Sequence, residues 1–355
     1  MNWKPTELPL NVEFETKRVL KKLVAAHRAL AELKGVALTI PRPDVLINTL
    51  ALQEAKDSSE VENIVTTHDE LFKGSLGLEH KVSPATKEVQ NYVAALKRGY
   101  DLVTQNKILT TNNIVEIQGV LERNDAGLRR VPGTSLKNAQ TGEVVYVPPQ
   151  EYAEIRDLMA NLEIFMNNHA LTDLDPLVKM AIVHFQFESI HPFYDGNGRT
   201  GRIINLLYLV LNGLLDLPIL YLSRYIFRNK GRYYALLQEV REQSTWEEWI
   251  LYLLDAVEVT SYDTIRLVHL IQQEMQVMKG ILSNGYKFYS QELLNHLFQQ
   301  PYTKIEFLQT ELGVSRLTAS AYLNQLAEDK VLVKHKLGKT NYYINWRLLD
   351  VLQSF

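Results

Sequence analysis

The sequence lacks cysteine altogether, and it has no long apolar run. Without cysteine there are no disulfides, zinc–thiolate sites, iron–sulfur clusters or thiol nucleophiles. The N-terminus does not contain the uninterrupted apolar stretch of a signal peptide. The most apolar segment is also unsuited to crossing a bilayer, because five residues interrupt it: Asn205, Asn212, Gly213, Asp216 and Pro218. These absences predict a cytoplasmic protein that has no membrane partner.

A strong excess of either charge is missing as well. The 355 residues include 38 Lys or Arg and 41 Asp or Glu, so the net charge is −3. This balance excludes a protein that coats nucleic acid through a general positive charge. It hides an asymmetry, because residues 286–355 hold eight Lys or Arg and six Asp or Glu, a net charge of +2. At about 150 residues per domain, a chain of this length is expected to form two to three domains.

Apolar residues at three- and four-residue steps dominate the chain and are typical of amphipathic helices. They predict a first helix that begins near Phe14 and ends at Gly35. Further helices are predicted over 59–72, 84–104, 111–121, 150–168, 175–188, 199–212, 231–243 and 245–280. Residues 131–149 differ, because a Thr-Gly turn precedes Val-Val-Tyr-Val and two prolines follow, which predicts a β-hairpin. We therefore expect a mainly α fold with one hairpin.

The pattern changes from about Tyr286. Three short helices are predicted over 291–298, 304–312 and 315–329, and two strands within 330–344. This order is typical of a winged helix-turn-helix domain, in which Ser315 would cap the recognition helix. DNA and protein both stay open as its partners. The predicted organisation is a helical region over 1–110, a core over 111–285 and the winged helix over 286–355.

The segment His191-Pro-Phe-Tyr-Asp-Gly-Asn-Gly-Arg-Thr-Gly-Arg202 carries the clearest chemical signal. Gly196 and Gly198 let the backbone approach a ligand with its amides exposed, and the loop leads into a helix N-terminus that favours phosphate. Arg199 and Arg202 lie on one face of that first turn, where they oppose the helix dipole. Folding alone gives little reason for two cations there, whereas a polyphosphate ligand does.

Two other residues of this segment suit nucleotide chemistry. Asp195 is an acidic residue in a cationic loop, as expected for a hard cation such as Mg²⁺ that is shared with phosphate oxygens. His191 can titrate near neutral pH and would serve as a general base on an incoming hydroxyl. The residues therefore predict a phosphate site with a metal and a base.

These twelve residues match every fixed position of the Fic-family signature His-x-Phe-x-(Asp/Glu)-Gly-Asn-Gly-Arg-x-x-Arg. The resemblance implies an all-α core enzyme that transfers AMP from ATP to a hydroxyl side chain of a target protein. It implies that His191 is the base, that Phe193 anchors the loop, and that Asp195 holds Mg²⁺ or Mn²⁺. The ATP-binding set that it implies is Asp195, Gly196, Asn197, Gly198, Arg199, Thr200, Gly201 and Arg202, with Tyr233 and Tyr234 near the adenine.

Two further segments resemble features of that family. Ser58-Ser-Glu-Val-Glu62-Asn63 is similar to its inhibitory motif (Ser/Thr)-x-x-x-Glu-(Gly/Asn), which implies that Glu62 pairs with Arg202 and excludes the γ-phosphate. The hairpin resembles the flap that positions the target by adding it as a strand, with Gly133, Thr134, Ser135 and Leu136 at its edge.

The sequence leaves several alternatives open. Related folds transfer phosphate or phosphocholine or remove AMP, and Glu62 could then position a hydrolytic water. A transcription regulator with a nucleotide-sensing site and DNA bound through residues 286–355 is a second class. A homodimer, the identity of the target protein and its modified residue are also left open.

Overall fold

The computed structural model describes residues 3–40, 43–67, 70–71, 83–138, 141–337 and 340–354. Its helices are α1 (Lys17–Ala37), α2 (Pro43–Val61), α3 (Pro84–Asn106), α4 (Thr111–Glu122), α5 (Tyr152–Asn167), α6 (Pro176–Ile190), α7 (Asn197–Leu211), α8 (Leu222–Arg228), α9 (Lys230–Gln243), α10 (Trp246–Gly285), α11 (Gln291–Gln299), α12 (Ile305–Leu312), α13 (Arg316–Glu328) and α14 (Trp346–Ser354). Its strands are β1 (Leu136–Lys137), β2 (Val144–Tyr146), β3 (Tyr302–Thr303), β4 (Val333–Leu337) and β5 (Thr340–Ile344). The fold is mainly helical, as predicted.

Helix α6 forms the centre of the core. Every residue from Leu177 to Ile190 is buried, which explains why the helix is apolar on nearly all sides. Asp175 caps its N-terminus by accepting a hydrogen bond from the Leu177 N–H at 2.8 Å. The helix ends at His191, whose backbone is left-handed with φ 49°. The burial of α6 therefore fixes the start of the signature loop.

Helix α2 is held from two sides. The buried carboxyl of Glu54 accepts hydrogen bonds from the Tyr92 hydroxyl of α3 at 3.2 Å and the Ser223 N–H of α8 at 3.0 Å. On the other side, the Gln53 amide donates to the Leu352 carbonyl of α14 at 2.8 Å. These contacts set the position of the C-terminal end of α2, which carries the predicted inhibitory motif.

The predicted hairpin is present as strands β1 and β2, which pair antiparallel with Leu136 opposite Tyr146. The Tyr146 side chain is buried, and its hydroxyl donates to the Ser189 carbonyl of α6 at 2.8 Å. The Arg241 guanidinium lies 4.0 Å from the centre of the Tyr146 ring. The hairpin is therefore attached to the central helix at its second strand.

The C-terminal part has the predicted order of three helices and a strand pair. Its sheet has the order β3-β5-β4, and both pairs of neighbouring strands are antiparallel. Strand β3 and helix α14 were not predicted. The turn at Gly338 lies outside the described residues. A winged helix-turn-helix remains a prediction for this domain.

Two expectations about helices are wrong, and one helix was missed. Helix α1 continues through Gly35 to Ala37, because Leu38 and not the glycine ends it. The helix predicted over 59–72 does not exist as such: α2 ends at Val61, and residues 62–67 are not helical. The short helix α8 was not predicted.

Candidate functional site

The signature loop begins at His191, and a buried arginine holds its backbone. Arg129 donates from Nε to the His191 carbonyl at 2.8 Å, and its backbone N–H donates to the Pro192 carbonyl at 2.9 Å. Its Nη2 also donates to the carbonyl of Pro149, at the end of the hairpin. Arg129 therefore connects the base predicted at His191 with the predicted flap.

The middle of the loop is closed by Asn197. Its side-chain oxygen accepts the Phe193 N–H at 2.9 Å, and its side-chain amide donates to the Phe193 carbonyl at 2.8 Å. The Phe193 ring is fully buried, as expected for the residue that anchors the loop. Because the Asn197 side chain is used in this way, only its backbone N–H is available to an anion.

Helix α7 starts directly after the loop with an open N-terminus. Gly196 precedes it with φ +75°, and within the described residues no side chain caps this end. The first N–H groups of an α-helix have no partner inside the helix, so they and the dipole favour an anion. The Asp195 carboxylate accepts the Gly196 N–H at 2.7 Å beside this end.

Arg202 is paired with the end of α2, as the resemblance implies. Its Nε donates to the Ser58 hydroxyl at 2.8 Å, and its Nη2 donates to the Ser58 carbonyl at 2.9 Å and to the Glu62 carboxylate at 2.8 Å. The Arg202 side chain is only 1% exposed, against 34% for Glu62. Asn63 has φ +62°, which explains why the motif has Gly or Asn at this position.

The Glu62 carboxylate lies against the loop itself. A Cβ atom at Gly198 would collide with a Glu62 oxygen, so this glycine makes the approach feasible. Burial tends to raise the pKa of Glu62, but the charge and hydrogen bond of Arg202 outweigh it and lower the pKa below its usual value. Arg199 and Lys230 add to this lowering. Glu62 is therefore ionised at neutral pH and neutralises Arg202.

Arg199 is also paired, but with other helices. Its Nη1 donates to Glu88 of α3 and its Nη2 to Glu122 of α4, both at 2.8 Å. The Arg199 side chain is 4% exposed, whereas Glu122 is 14% and Glu88 38% exposed. Burial is the main cause that raises the pKa of Glu122; the charge of Arg199 opposes it, and the negative charges of Asp195 and Glu88 reinforce it.

A cavity of about 440 Å³ brings most of these residues together. It is lined by Glu62, Ile64, Glu88, Leu136, His191, Tyr194, Asp195, Gly196, Asn197, Gly198 and Arg199. Burial and the nearby charge of Arg129 lower the pKa of His191 to about 4, although the Glu188 carbonyl and Glu62 act in the opposite direction. His191 is therefore unprotonated at neutral pH and can accept a proton.

Asp195 is the carboxylate predicted to hold a cation, and the other two described carboxylates that line the cavity, Glu62 and Glu88, are paired with arginines. Asp195 is exposed and lines the cavity, and no cluster of three or more acidic or histidine side chains suited to a metal occurs among the described residues. Mg²⁺ in nucleotide sites is commonly held by one or two carboxylates together with phosphates. Asp195 fits that arrangement only together with a bound polyphosphate.

The predicted flap residues lie at the edge of the cavity. Leu136 lines it. The Gln150 side chain holds the chain before β1, because it accepts the Gly133 N–H at 2.7 Å and donates to the Thr134 carbonyl at 3.0 Å. Thr134 and Ser135 are partly exposed, and they precede the two residues of β1 that pair with β2.

Five of the predicted ATP-binding residues do not line this cavity: Thr200, Gly201, Arg202, Tyr233 and Tyr234. Thr200 is buried in α7, and Gly201 packs closely against Glu188 and Phe187 of α6. Tyr233 is a core residue whose hydroxyl lies 2.9 Å from His184 Nε2. Tyr234 lies outside the core at 43% exposure, and its pKa is raised mainly by partial burial and by the charge of Glu62.

The sequence analysis missed the residues that hold the loop from outside it. These are Arg129, Glu88, Glu122 and Gln118. It also missed Tyr194 within the loop, whose hydroxyl accepts the N–H groups of Arg130 and Val131 at 2.8 and 3.1 Å. None of them belongs to a short motif except Tyr194, which occupies a variable position of the signature.

Within the described residues, no helix is long and apolar enough to span a membrane.

Two family models match the chain at its two ends. Residues 20–101 match the Fic/DOC family N-terminal model, and residues 270–348 match the C-terminal domain of the SoFic-like protein adenylyltransferases. The first match includes α2 with its Ser58–Asn63 motif. The second covers α11 to α13 and the C-terminal sheet.

Curated relatives carry names that agree with these models. The chain is 29% identical over 199 residues to a probable protein adenylyltransferase of Aquifex aeolicus (strain VF5), which covers 55% of this chain and 57% of that protein. It is 28% identical over 192 residues to the protein adenylyltransferase Fic of Aedes aegypti, which covers 54% of this chain and 36% of that protein. The chain thus matches about half or less of each relative's length.

Solved structures share the fold. A Fic family protein from Desulfovibrio desulfuricans G20 superposes with a TM-score of 0.60 at 21% identity, over 96% of this chain and 98% of the other. A Fic domain containing signaling protein from Bacteroides thetaiotaomicron VPI-5482 superposes with a TM-score of 0.54 at 20% identity, over 70% of this chain and 95% of the other. Between the two matched ends lies a loop with every fixed residue of the signature, so the chain is similar to Fic proteins in its N-terminal and C-terminal family models, in this loop and in its fold.

Proposed function

We propose that this chain is a protein adenylyltransferase that is inhibited by its own Glu62. It would transfer AMP from ATP to a Tyr, Ser or Thr hydroxyl of a target protein and release pyrophosphate. One observation carries the proposal: His191, the open N-terminus of α7 and the Glu62 carboxylate, which is paired with Arg202, meet at one cavity. The names of the curated relatives support the choice of AMP.

The nucleotide would bind through its phosphates. The backbone N–H groups of Asn197 and Gly198 would donate hydrogen bonds to the phosphate oxyanions, since the helix dipole favours negative charge at this end. The Gly196 N–H would join them once it leaves the Asp195 carboxylate, to which it now donates. Arg199 and Arg202 would contact the β- and γ-phosphates. When bound with the nucleotide, Mg²⁺ would neutralise phosphate charge, and Asp195 would be its protein ligand.

The transfer needs one base and one leaving group. His191 would accept the proton of the target hydroxyl, whose oxygen attacks the α-phosphorus. A new P–O bond forms to the target as the bond between the α-phosphorus and its bridging oxygen breaks, and pyrophosphate leaves with that oxygen. The lowered pKa of His191, about 4, keeps the imidazole ready to accept a proton at neutral pH.

The target segment would lie along the flap. The backbone from Gly133 to Ser135 would hydrogen-bond an extended peptide, which is the usual geometry of strand addition, once Gln150 releases the Gly133 N–H and the Thr134 carbonyl. Leu136, at the wall of the cavity, would then set how far the hydroxyl side chain reaches towards His191.

Glu62 would inhibit by occupying Arg202. A γ-phosphate needs the guanidinium that Glu62 and Ser58 now hold, so ATP has to displace two charged or polar partners. Hydrogen bonds to charged groups contribute roughly 1.5–3 kcal/mol each, which corresponds to a roughly tenfold or greater loss of affinity.

Removal of AMP is a second candidate function, because Glu62 lines the same cavity as His191. A carboxylate at that place could orient a water molecule towards the phosphorus of a modified target.

A DNA-binding regulator has less support. The exposed face of α13 carries Leu317, Ala321, Gln325 and Glu328, and Arg316 pairs with Glu306 at 3.3 Å.

The test uses ATP labelled either on the α-phosphate or on the γ-phosphate, with Mg²⁺ and a lysate as the source of targets. We expect weak protein labelling from the α-label with the unaltered chain, a tenfold or greater increase with Glu62→Gly, and none after adding His191→Ala to it. Glu60→Gln, two residues earlier and paired with Lys56, is the matched control and should change nothing.

Transfer of the γ-label would instead indicate a kinase-like reaction and contradict the proposal. Mass spectrometry of the labelled target distinguishes AMP from phosphate and phosphocholine by the added mass. Loss of AMP from a pre-modified target, faster with Glu62 present than with Glu62→Gly, would favour the second candidate.

A further inference from the structure

The C-terminal end of α4 lies behind the signature loop and contacts it at three points. The Gln118 side chain donates to the Asp195 carbonyl at 3.2 Å, and one turn later the Glu122 carboxylate accepts from Arg199 Nη2 at 2.8 Å. Gln118 and Glu122 share one face of the helix because they are four residues apart. Both are largely removed from solvent.

The third contact is made at a glycine. A Cβ atom at Gly196 would collide with the Glu122 carboxylate, so the loop backbone packs directly on this side chain. Gly196 also has φ +75°, a conformation that other residues rarely adopt. The Asp195 carbonyl, the Gly196 backbone and the Arg199 guanidinium thus all rest on one face of α4.

Glu122 differs from Glu62 in its relation to the cavity. Glu62 is among the described residues that line the cavity, whereas Glu122 is not. A guanidinium has five N–H donors, and Glu88 and Glu122 each engage one terminal nitrogen of Arg199, so further donors remain for a ligand. Glu122 therefore holds Arg199 from behind and leaves its cavity side accessible.

We propose that Glu122, assisted by Gln118, is a positioning residue for the nucleotide: it fixes Arg199 and the loop backbone in the arrangement that receives the β- and γ-phosphates. The proposal rests on the proposed function, since it concerns the same nucleotide site. It assigns to the Glu122–Arg199 pair the opposite effect to that of Glu62–Arg202. Removing Glu122 weakens ATP binding, whereas removing Glu62 strengthens it.

The experiment measures nucleotide affinity by calorimetry with Mg²⁺ in a Glu62→Gly, His191→Ala background, which is open and does not turn over. With Glu122→Gln added, we expect the Kd for ATP to rise about tenfold. The Kd for AMP should change less than about twofold, because AMP lacks the two phosphates that Arg199 receives. Glu116→Gln is the control, since Glu116 lies on the same helix in an exposed pair with Arg98.

A second variant keeps the test independent of the folding of Glu122→Gln. Arg199→Lys retains the charge but cannot bridge two carboxylates in the same geometry. It should show the same selective loss of affinity for ATP. Tighter ATP binding in Glu122→Gln would show that Glu122 inhibits, and would overturn the proposal. An equal loss of affinity for ATP and AMP, or no change in either affinity, would overturn it as well.

The same data distinguish this failure from that of the proposed function. If Glu62→Gly, His191→Ala binds ATP more tightly than His191→Ala alone, the inhibited nucleotide site stands and only the role of Glu122 is in question. If the Glu62→Gly, His191→Ala variant does not bind ATP at all, this result contradicts both the proposed function and the positioning role of Glu122.

Discussion

Arg199 and Arg202 are the same residue type in the first two turns of α7; Arg199 donates to two carboxylates and Arg202 to one, all at 2.8 Å. They differ in where those carboxylates come from. The partners of Arg202, Ser58 and Glu62, belong to the end of one helix and the turn after it, and Glu62 reaches into the cavity. The partners of Arg199 belong to α3 and α4, which pack on each other and on α7.

The difference shows that the role of a buried ion pair depends on what its partner is attached to. A carboxylate that occupies the ligand's place competes with the ligand. A carboxylate on a packed helix behind the site instead keeps the arginine oriented when the ligand arrives. Both pairs have the same length, so distance alone would assign them the same role.

Acidification separates the two pairs and should give the largest effect. The pKa of Glu122 is raised, so its pairing with Arg199 is lost early as the pH falls through that raised value. The pKa of Glu62 is lowered, so its pairing with Arg202 persists to a lower pH. As the pH falls below neutrality, we expect ATP affinity in Glu62→Gly, measured by calorimetry, to decrease towards the roughly tenfold loss expected of Glu122→Gln, because Glu122 takes up a proton at a higher pH than an ordinary carboxyl does.

Titration of ATP itself affects every variant equally, so the comparison is between variants. The double variant Glu62→Gly, Glu122→Gln should show a weaker pH dependence of ATP affinity than Glu62→Gly alone, because it lacks the Glu122 carboxyl. The unaltered chain should not gain ATP affinity on acidification. A gain would mean that the Glu62 pair opens first, and that the two pairs differ in the opposite sense.

Removing the second partner of Arg202 should have a smaller effect. Ser58→Ala deletes the acceptor of the Arg202 Nε–H and keeps the Ser58 carbonyl and Glu62. A single hydrogen bond contributes about 1 kcal/mol, so ATP affinity should rise about fivefold. Ser59→Ala is the control, because its buried hydroxyl has no hydrogen-bond partner within the described residues. Equal gains for both variants would indicate general loosening of α2 instead.

The residues that could be predicted from the sequence are those whose spacing is local. His191, Asp195 and Arg202 stand within twelve residues, and Ser58 and Glu62 are one helical turn apart. The pairing of Glu62 with Arg202 was implied by the resemblance, and it is present. The left-handed Asn63 that turns the chain after α2 was not recognised, so a separate helix was predicted over 59–72.

The residues that could not be predicted act across long sequence separations. Arg129 contacts the loop from 62 residues away, and Glu122 from 77. Neither belongs to a short motif, and only the packing of α4 and the hairpin around α6 and α7 brings these two side chains to the loop. Tyr233, which the resemblance places near the adenine, is a core residue, and its contact with adenine stays a prediction.

Glu88 gives the smallest expected effect and the finest test of the comparison. It accepts from Arg199 Nη1 at 2.8 Å, as closely as Glu122 accepts from Nη2, but it is 38% exposed and lines the cavity. Water competes for such a pair, so Glu88→Gln in the Glu62→Gly background should reduce ATP affinity only about twofold by calorimetry. If Glu88→Gln cost as much as Glu122→Gln, Arg199 would be held from the cavity side, and burial behind the loop would not be what distinguishes the two arginines.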